Sequence, residues 1–164
     1  MVDVVLCLGS NLGDRTSHLQ RMEAALEREL LPPIRKSRLM ETEPLGVTAG
    51  HPWYYNRLIR GKYEGTPQGL LETCQTIEKK LGRTRPDKYA PRTADIDIVL
   101  FGDQVINEKE LIIPHRHIFD RRFCVEGLDE IAGEWVVPGT HKPVHELAQQ
   151  IAAGVRQQRI RYLP

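Results

Sequence analysis

Hydrophobic and polar positions along the chain predict an alternation of strands and helices. Val2 to Leu8 is a short β-branched apolar run ended by Gly9, the pattern of a buried strand. Leu19, Met22, Leu26 and Leu30 recur at three- and four-residue steps, predicting a helix from Asp14 to Leu30 that Pro32 and Pro33 terminate. A weaker strand follows over Ile34 to Met40, and an alternating one over Tyr54 to Tyr63, closed by Gly65. Thr66-Pro67 offers an N-cap and a proline suited to the first helical turn, after which Leu70, Cys74, Ile77 and Leu81 lead at helical spacing to Gly82. Residues 83–94 carry few apolar side chains and two prolines, as an exposed loop would. Asp95 to Phe101 predicts a strong strand, with Gly102-Asp103 turning the chain back into a hairpin strand over Gln104 to Ile106. Leu111 to Ile113 is a short strand stopped by Pro114, and helices are expected over Arg121 to Ala132 and Val144 to Val155. With few connections long enough for parallel crossovers, this order predicts an α/β chain with an antiparallel or mixed sheet and helices on one face.

Composition narrows the class. At 164 residues and 40% hydrophobic, the chain can bury a core without staples, and no composition break divides residues 1–164 into more than one domain. Lys and Arg number 23 against 22 Asp and Glu, so no global field selects a polyanion and any phosphate site must be local. Cys7, Cys74 and Cys124 are scattered among apolar neighbours, as buried reduced thiols would be. The N-terminal run lacks a basic leader, and no stretch is long enough to span a bilayer, so a cytoplasmic protein is expected.

The sharpest chemical signal is Arg92-Thr93-Ala94-Asp95-Ile96-Asp97-Ile98. On a strand, Asp95 and Asp97 share one face about 6.5–7 Å apart, while Ile96, Ile98 and Leu100 point the other way into the core. Like charges held so close repel unless a cation lies between them, and oxygen ligands select a hard ion such as Mg²⁺. A D-x-D pair alone reads equally as a solvated strand face; the preceding segment changes that reading. Arg83, Arg85, Lys88 and Arg92 stand there against the single acid Asp87, and cations beside a metal-binding strand suit a polyphosphate.

Other clusters are less specific. His115 and His117 could form a zinc-binding H-x-H pair, but no third ligand lies at suitable spacing, so phosphate contacts by this basic cluster with Arg121 and Arg122 are the preferred reading. His141 and His145 flank Pro143, which favours a structural or surface role. Gly9 to Asp14 joins strand to helix as a phosphate loop might, but lacks the G-K-[ST] ending, and a turn with Asp14 as N-cap accounts for it. Glu41 to Gly46, followed by Trp53-Tyr54-Tyr55-Asn56, gathers aromatics and an amide that could stack on and hydrogen-bond a flat heterocycle, or simply fill the core.

In this order the motifs resemble the 6-hydroxymethyl-7,8-dihydropterin pyrophosphokinase family: L-G-S-N-L-G-D-R at 8–15, E-T-E-P-L-G at 41–46, P-R-T-A-D-I-D-I-V-L-F-G at 91–102 and I-P-H at 113–115. The resemblance implies a ferredoxin-like sandwich with long catalytic loops, and transfer of pyrophosphate from ATP to a pterin alcohol with release of AMP in folate biosynthesis. It implies that Asp95 and Asp97 hold two Mg²⁺ ions, and that Arg83, Arg85 and Arg92 grip the triphosphate. Gln75, Glu78, Tyr89, Ile98, His115 and Arg121 fall on the nucleotide side. Tyr54 and Phe123 match the rings about the pterin, with Trp53 and Tyr55 as neighbouring alternatives to Tyr54; Asn56, Thr42, Pro44, Leu45 and Asp95 complete its surroundings. The segment around Arg85 to Lys88 looks one residue shorter than the family's, and Glu110 and Arg116 stand where some members have arginine and tyrosine. The expected partners are small molecules, with no nucleic acid and no membrane, acting on a monomer.

Two other readings compete. A metal-dependent nuclease would use similar groups but would release nucleotides from DNA or RNA. A ferredoxin-like RNA-binding module would need aromatics and a wide basic face where the strand instead carries Asp95 and Asp97.

Overall fold

The computed structural model describes residues 1–46, 50–83 and 92–164. Strand β1 (Val2–Ser10) lies at the heart of an antiparallel sheet, flanked by β4 (Tyr54–Tyr63) on one side and β5 (Asp95–Phe101) on the other. Beyond β4 come β3 (Met40–Thr42) and then β8 (Ile160–Tyr162), while β2 (Leu31–Lys36) also pairs with β4. Helices α1 (Arg15–Glu29) and α2 (Pro67–Lys80) pack on one face; α3 (Arg122–Ala132) and α4 (Val144–Gln149) lie on the other. The sheet is antiparallel as expected, but helices cover both faces, because β1 is apolar at every position from Val4 to Leu8. Val4, Leu6 and Leu8 meet Leu19, Met22, Leu70 and Cys74, whereas Val5 and Cys7 meet Cys124, Leu128 and Ile131.

Local chemistry sets the helix ends. The Asp14 carboxylate accepts the Ser17 N–H at 3.0 Å, and the Thr66 hydroxyl accepts the Gly69 N–H at 3.0 Å with Pro67 following. All three cysteines are free and buried. Burial drives their thiols upward, that of Cys124 to about 12, which keeps them protonated.

Several expectations fail for identifiable reasons. The weak strand expected over 34–40 is two strands: the two prolines that stop α1 open β2, and β3 begins only at Met40. Gly102 adopts a φ of 53° and turns the chain, but the hairpin that follows pairs β6 (Ile106–Asn107) with β7 (Ile112–Ile113), not with β5. The helix expected over 144–155 breaks into α4 and α5 (Ala153–Arg156), and the basic tail forms β8. A register shift between Val5 and Leu6 inserts an extra residue into β5, so Leu100 packs on the α3 side, opposite to Ile96 and Ile98. The segment leading into β5 is not exposed where it is described, since Arg83 and Ala94 are both buried among their neighbours.

Gly127 shows how tightly α3 is seated. A Cβ there would come within 2.7 Å of Leu58 Cδ1 and 3.3 Å of Met40 Cε, both on fully buried side chains. Alanine favours an isolated helix over glycine by about 1 kcal/mol, whereas overpacking a filled core costs about 1–3 kcal/mol. Gly127→Ala is therefore expected to lower stability by about 1 kcal/mol in equilibrium urea unfolding; an unchanged or raised midpoint would show that the α3 interface can give way.

Candidate active site

Strand register assembles the site. Gly9 pairs with both Asp95 and Asn56, and Asn56 pairs with Met40, so Asp95, Gly9 and Asn56 form one row across the sheet; Cys7 and Asp97 form the next. Tyr54 lies two residues before Asn56 and points to the same face, while Tyr55 turns to the opposite face, where the Arg15 guanidinium sits 3.9 Å from its ring centre. Trp53 lies at the rim, with its ring under Arg159. Parity thus selects Tyr54 among the three aromatics. Gly9 has no alternative: a Cβ there would lie 2.9 Å from Asn56 Nδ2 and 3.3 Å from the Tyr54 ring.

Above these rows lies a cavity of about 130 Å³. The expected residues Thr42, Pro44, Leu45, Tyr54, Asn56, Arg92, Asp95, Asp97, Arg121 and Phe123 all line it. The buried Asn56 amide is oriented by its neighbours: its oxygen accepts the Thr42 hydroxyl at 2.9 Å, and its nitrogen reaches the Leu8 carbonyl at 3.4 Å. Burial, reinforced by the Asp95 charge, pushes the Tyr54 phenol up and keeps it protonated. Phe123 enters from the first turn of α3, two residues after Arg121.

The two acids occupy different environments. Asp95 accepts from Arg83 Nη1 at 2.8 Å and from Arg92 Nη1 at 3.1 Å, one guanidinium on each oxygen. Asp97, with 35% of its side-chain surface open to the cavity, has no such partner among the described residues; His115 Nε2 stands 3.9 Å away. Burial first and the Asp95 charge second raise the Asp97 carboxyl to about 7, against the opposing pull of Arg121. Burial and Arg121 hold His115 down near 4, so its ring is neutral at physiological pH. Because His115 Nδ1 accepts the His117 backbone N–H at 3.2 Å, the ring proton is carried on Nε2, toward Asp97.

The remaining expected residues that are described lie outside the cavity wall. Arg83 is buried behind Asp95 and also binds Glu78, whose carboxylate turns inward to accept the Ile96 N–H at 3.0 Å. Gln75 is on the exposed face of α2, and Ile98 is buried on the α1 and α2 side. Arg85, Tyr89 and Lys88 lie outside the described residues. Two contributors were missed. Asn11, read as a turn residue, binds the Arg92 main chain through its N–H and its side-chain oxygen at 3.0 and 2.7 Å, and its Nδ2 donates to the Pro52 carbonyl at 3.1 Å. Gln158 reaches the cavity from the C-terminal segment, where no local pattern marks it.

Comparison with known proteins now bears on this geometry. The family model described as 7,8-dihydro-6-hydroxymethylpterin-pyrophosphokinase (HPPK) matches residues 5–133. The chain is 39% identical over 127 residues to the 2-amino-4-hydroxy-6-hydroxymethyldihydropteridine pyrophosphokinase of Bacillus subtilis, covering 77% of this chain and 75% of that one. It is 35% identical over 143 residues to the protein of the same name from Methylorubrum extorquens, covering 85% and 88%. In fold it resembles the crystal structure of Plasmodium falciparum HPPK-DHPS with pteroate, at a TM-score of 0.72 and 15% identity, covering 98% of this chain but 47% of that longer one. The family model's match over residues 5–133, with relatives 39% and 35% identical, places this chain in the 7,8-dihydro-6-hydroxymethylpterin-pyrophosphokinase family.

Proposed function

We propose that the chain transfers pyrophosphate from MgATP to the hydroxymethyl oxygen of 6-hydroxymethyl-7,8-dihydropterin and releases AMP. Family membership supplies the reaction class, a pyrophosphokinase step of folate biosynthesis. The observation that carries the rest is continuity: the aromatic and amide wall of Tyr54, Phe123 and Asn56 lines the same cavity as Asp95, Asp97, Arg92 and Arg121. A flat heterocycle held at the first set of groups would present a substituent to the second. The phenyl and phenol rings would take its faces, and the Asn56 Nδ2, engaged among the described residues by the long contact to Leu8, would donate to its edge.

The acid pair suits Mg²⁺. Both donors are carboxylates on same-face positions of β5, and burial first and the Asp95 charge second raise Asp97, a penalty that a bound cation would relieve. Further positions around such an ion would fall to phosphate and water, as Mg²⁺ commonly requires. We assign Asp95 and Asp97 to hold two such ions, which would supply positive charge to the phosphate oxygens. In the reaction the hydroxymethyl oxygen forms a bond to the β-phosphorus as the bond from that phosphorus to the α-bridging oxygen breaks. AMP keeps the electron pair, and Asp97 would take up the hydroxyl proton. Arg92 and Arg121 put fixed cations on the cavity wall, and neutral His115 adds a donor that brings no charge.

Glu78 and Arg83 serve this site from behind. Their pairing anchors the start of β5 through Ile96, and Arg83 then holds one oxygen of Asp95. No helix among the described residues is long and apolar enough to cross a membrane.

Enzyme incubated with MgATP and the pterin should yield AMP one-for-one with pterin pyrophosphate by anion-exchange chromatography; ADP as product would reject the proposal. Asp97→Ala should cut turnover at least 10³-fold, on the order of 4 kcal/mol of barrier, while its thermal midpoint stays level or rises. A near-normal rate would remove Asp97 from the chemistry. Arg83→Ala removes charged hydrogen bonds to both Glu78 and Asp95 and should cost about 1.5–3 kcal/mol in urea unfolding; unchanged stability would return Arg83 to a purely ligand-binding role.

A further inference from the structure

The geometry points to Gln158 as a positioning residue that sets the pterin-facing wall of the cavity, an assignment resting on the pterin reading above. Gln158 lies just before β8, 4% exposed, and lines the cavity beside Thr42, Glu43, Pro44 and Leu45. Its side-chain Nε2 donates to the Glu43 carbonyl at 2.9 Å, immediately before Pro44 and Leu45, and its own carbonyl accepts from Arg122 Nη1 at 3.2 Å, immediately before Phe123. One residue therefore joins the backbone edge to the aromatic wall.

The surrounding bonds hold Gln158 in place. Glu43 and Arg159 exchange main-chain and side-chain bonds: the Glu43 N–H donates to the Arg159 carbonyl at 3.0 Å, and the Glu43 carboxylate accepts from Arg159 N–H and Nε at 2.8 and 3.0 Å. Glu41 pairs with Arg161 across β3 and β8, fixing the strand that follows. The amide cannot be reversed without facing its oxygen to the Glu43 carbonyl, so Nε2 is the donor. Its Oε1 is buried without a hydrogen-bond partner among the described residues. Such an arrangement is costly for stability alone, and is expected where a group is retained to shape a site.

Losing this donor should let residues 43–45 shift and weaken the heterocycle while leaving the triphosphate side unaffected. Gln158→Glu keeps the shape but places a carboxylate oxygen against the Glu43 carbonyl. Titration calorimetry should show about tenfold weaker binding of the pterin, the loss of one buried hydrogen bond, with binding of a non-hydrolysable ATP analogue with Mg²⁺ changed less than twofold. KM for the pterin should rise to match, with kcat at saturating pterin within about threefold. Gln158→Met, of the same length with no donor, should show the same split and is read alone if the Glu variant unfolds. Equal weakening toward both ligands, unchanged pterin affinity in either folded variant, or unfolding of both overturns the assignment. If the wild-type protein binds no pterin, the substrate reading fails and this one with it.

Discussion

The arrangement depends on the cost of keeping two carboxylates together on one buried strand face. Asp95 and Asp97 project from alternate, half-buried positions of β5 into one cavity, where burial and mutual repulsion both act against their ionised forms. That repulsion is only partly answered. Arg83 and Arg92 neutralise Asp95, and Arg121 opposes but does not cancel the upward shift of Asp97. The protein thus gives up stability to keep two acids together where a bound cation would relieve their repulsion. Such local conflict is expected at functional positions of an otherwise consistent fold.

The elements that surround this conflict were legible to the extent that a local pattern encodes them. The bounds of β4 and β5 follow from alternation, and the start of α2 from Thr66-Pro67. Non-local pairings were not legible. The basic residues Arg159 and Arg161 suggest a solvated tail, yet Glu43 and Glu41 neutralise them and β3 supplies the backbone partners that make β8 a strand. The bulge in β5 likewise depends on its pairing with β1, so simple alternation assigns Leu100 to the wrong face. In the site, residue types identified the acid pair and the aromatic-amide group, but Asn11 and Gln158 act by joining backbones distant in sequence. Asparagine in a turn and glutamine near a terminus are too common to signal such work.

The two acids also show why sequence symmetry does not imply equal roles. Both follow the same alternation, yet Asp95 has an arginine on each oxygen and is geometrically fixed, whereas Asp97 faces the cavity beside a neutral histidine. A carboxylate already bonded to two guanidinium groups is a rigid reference point, whereas burial and the neighbouring Asp95 charge raise the carboxyl of Asp97, which has no such arginine among the described residues. Environment separates them, and the separation begins with Glu78 on α2, which binds both the Ile96 amide and Arg83. Through Glu78, α2 also acts on the strand behind it: by fixing where β5 starts, it helps set which acid is paired with arginine and which faces the cavity.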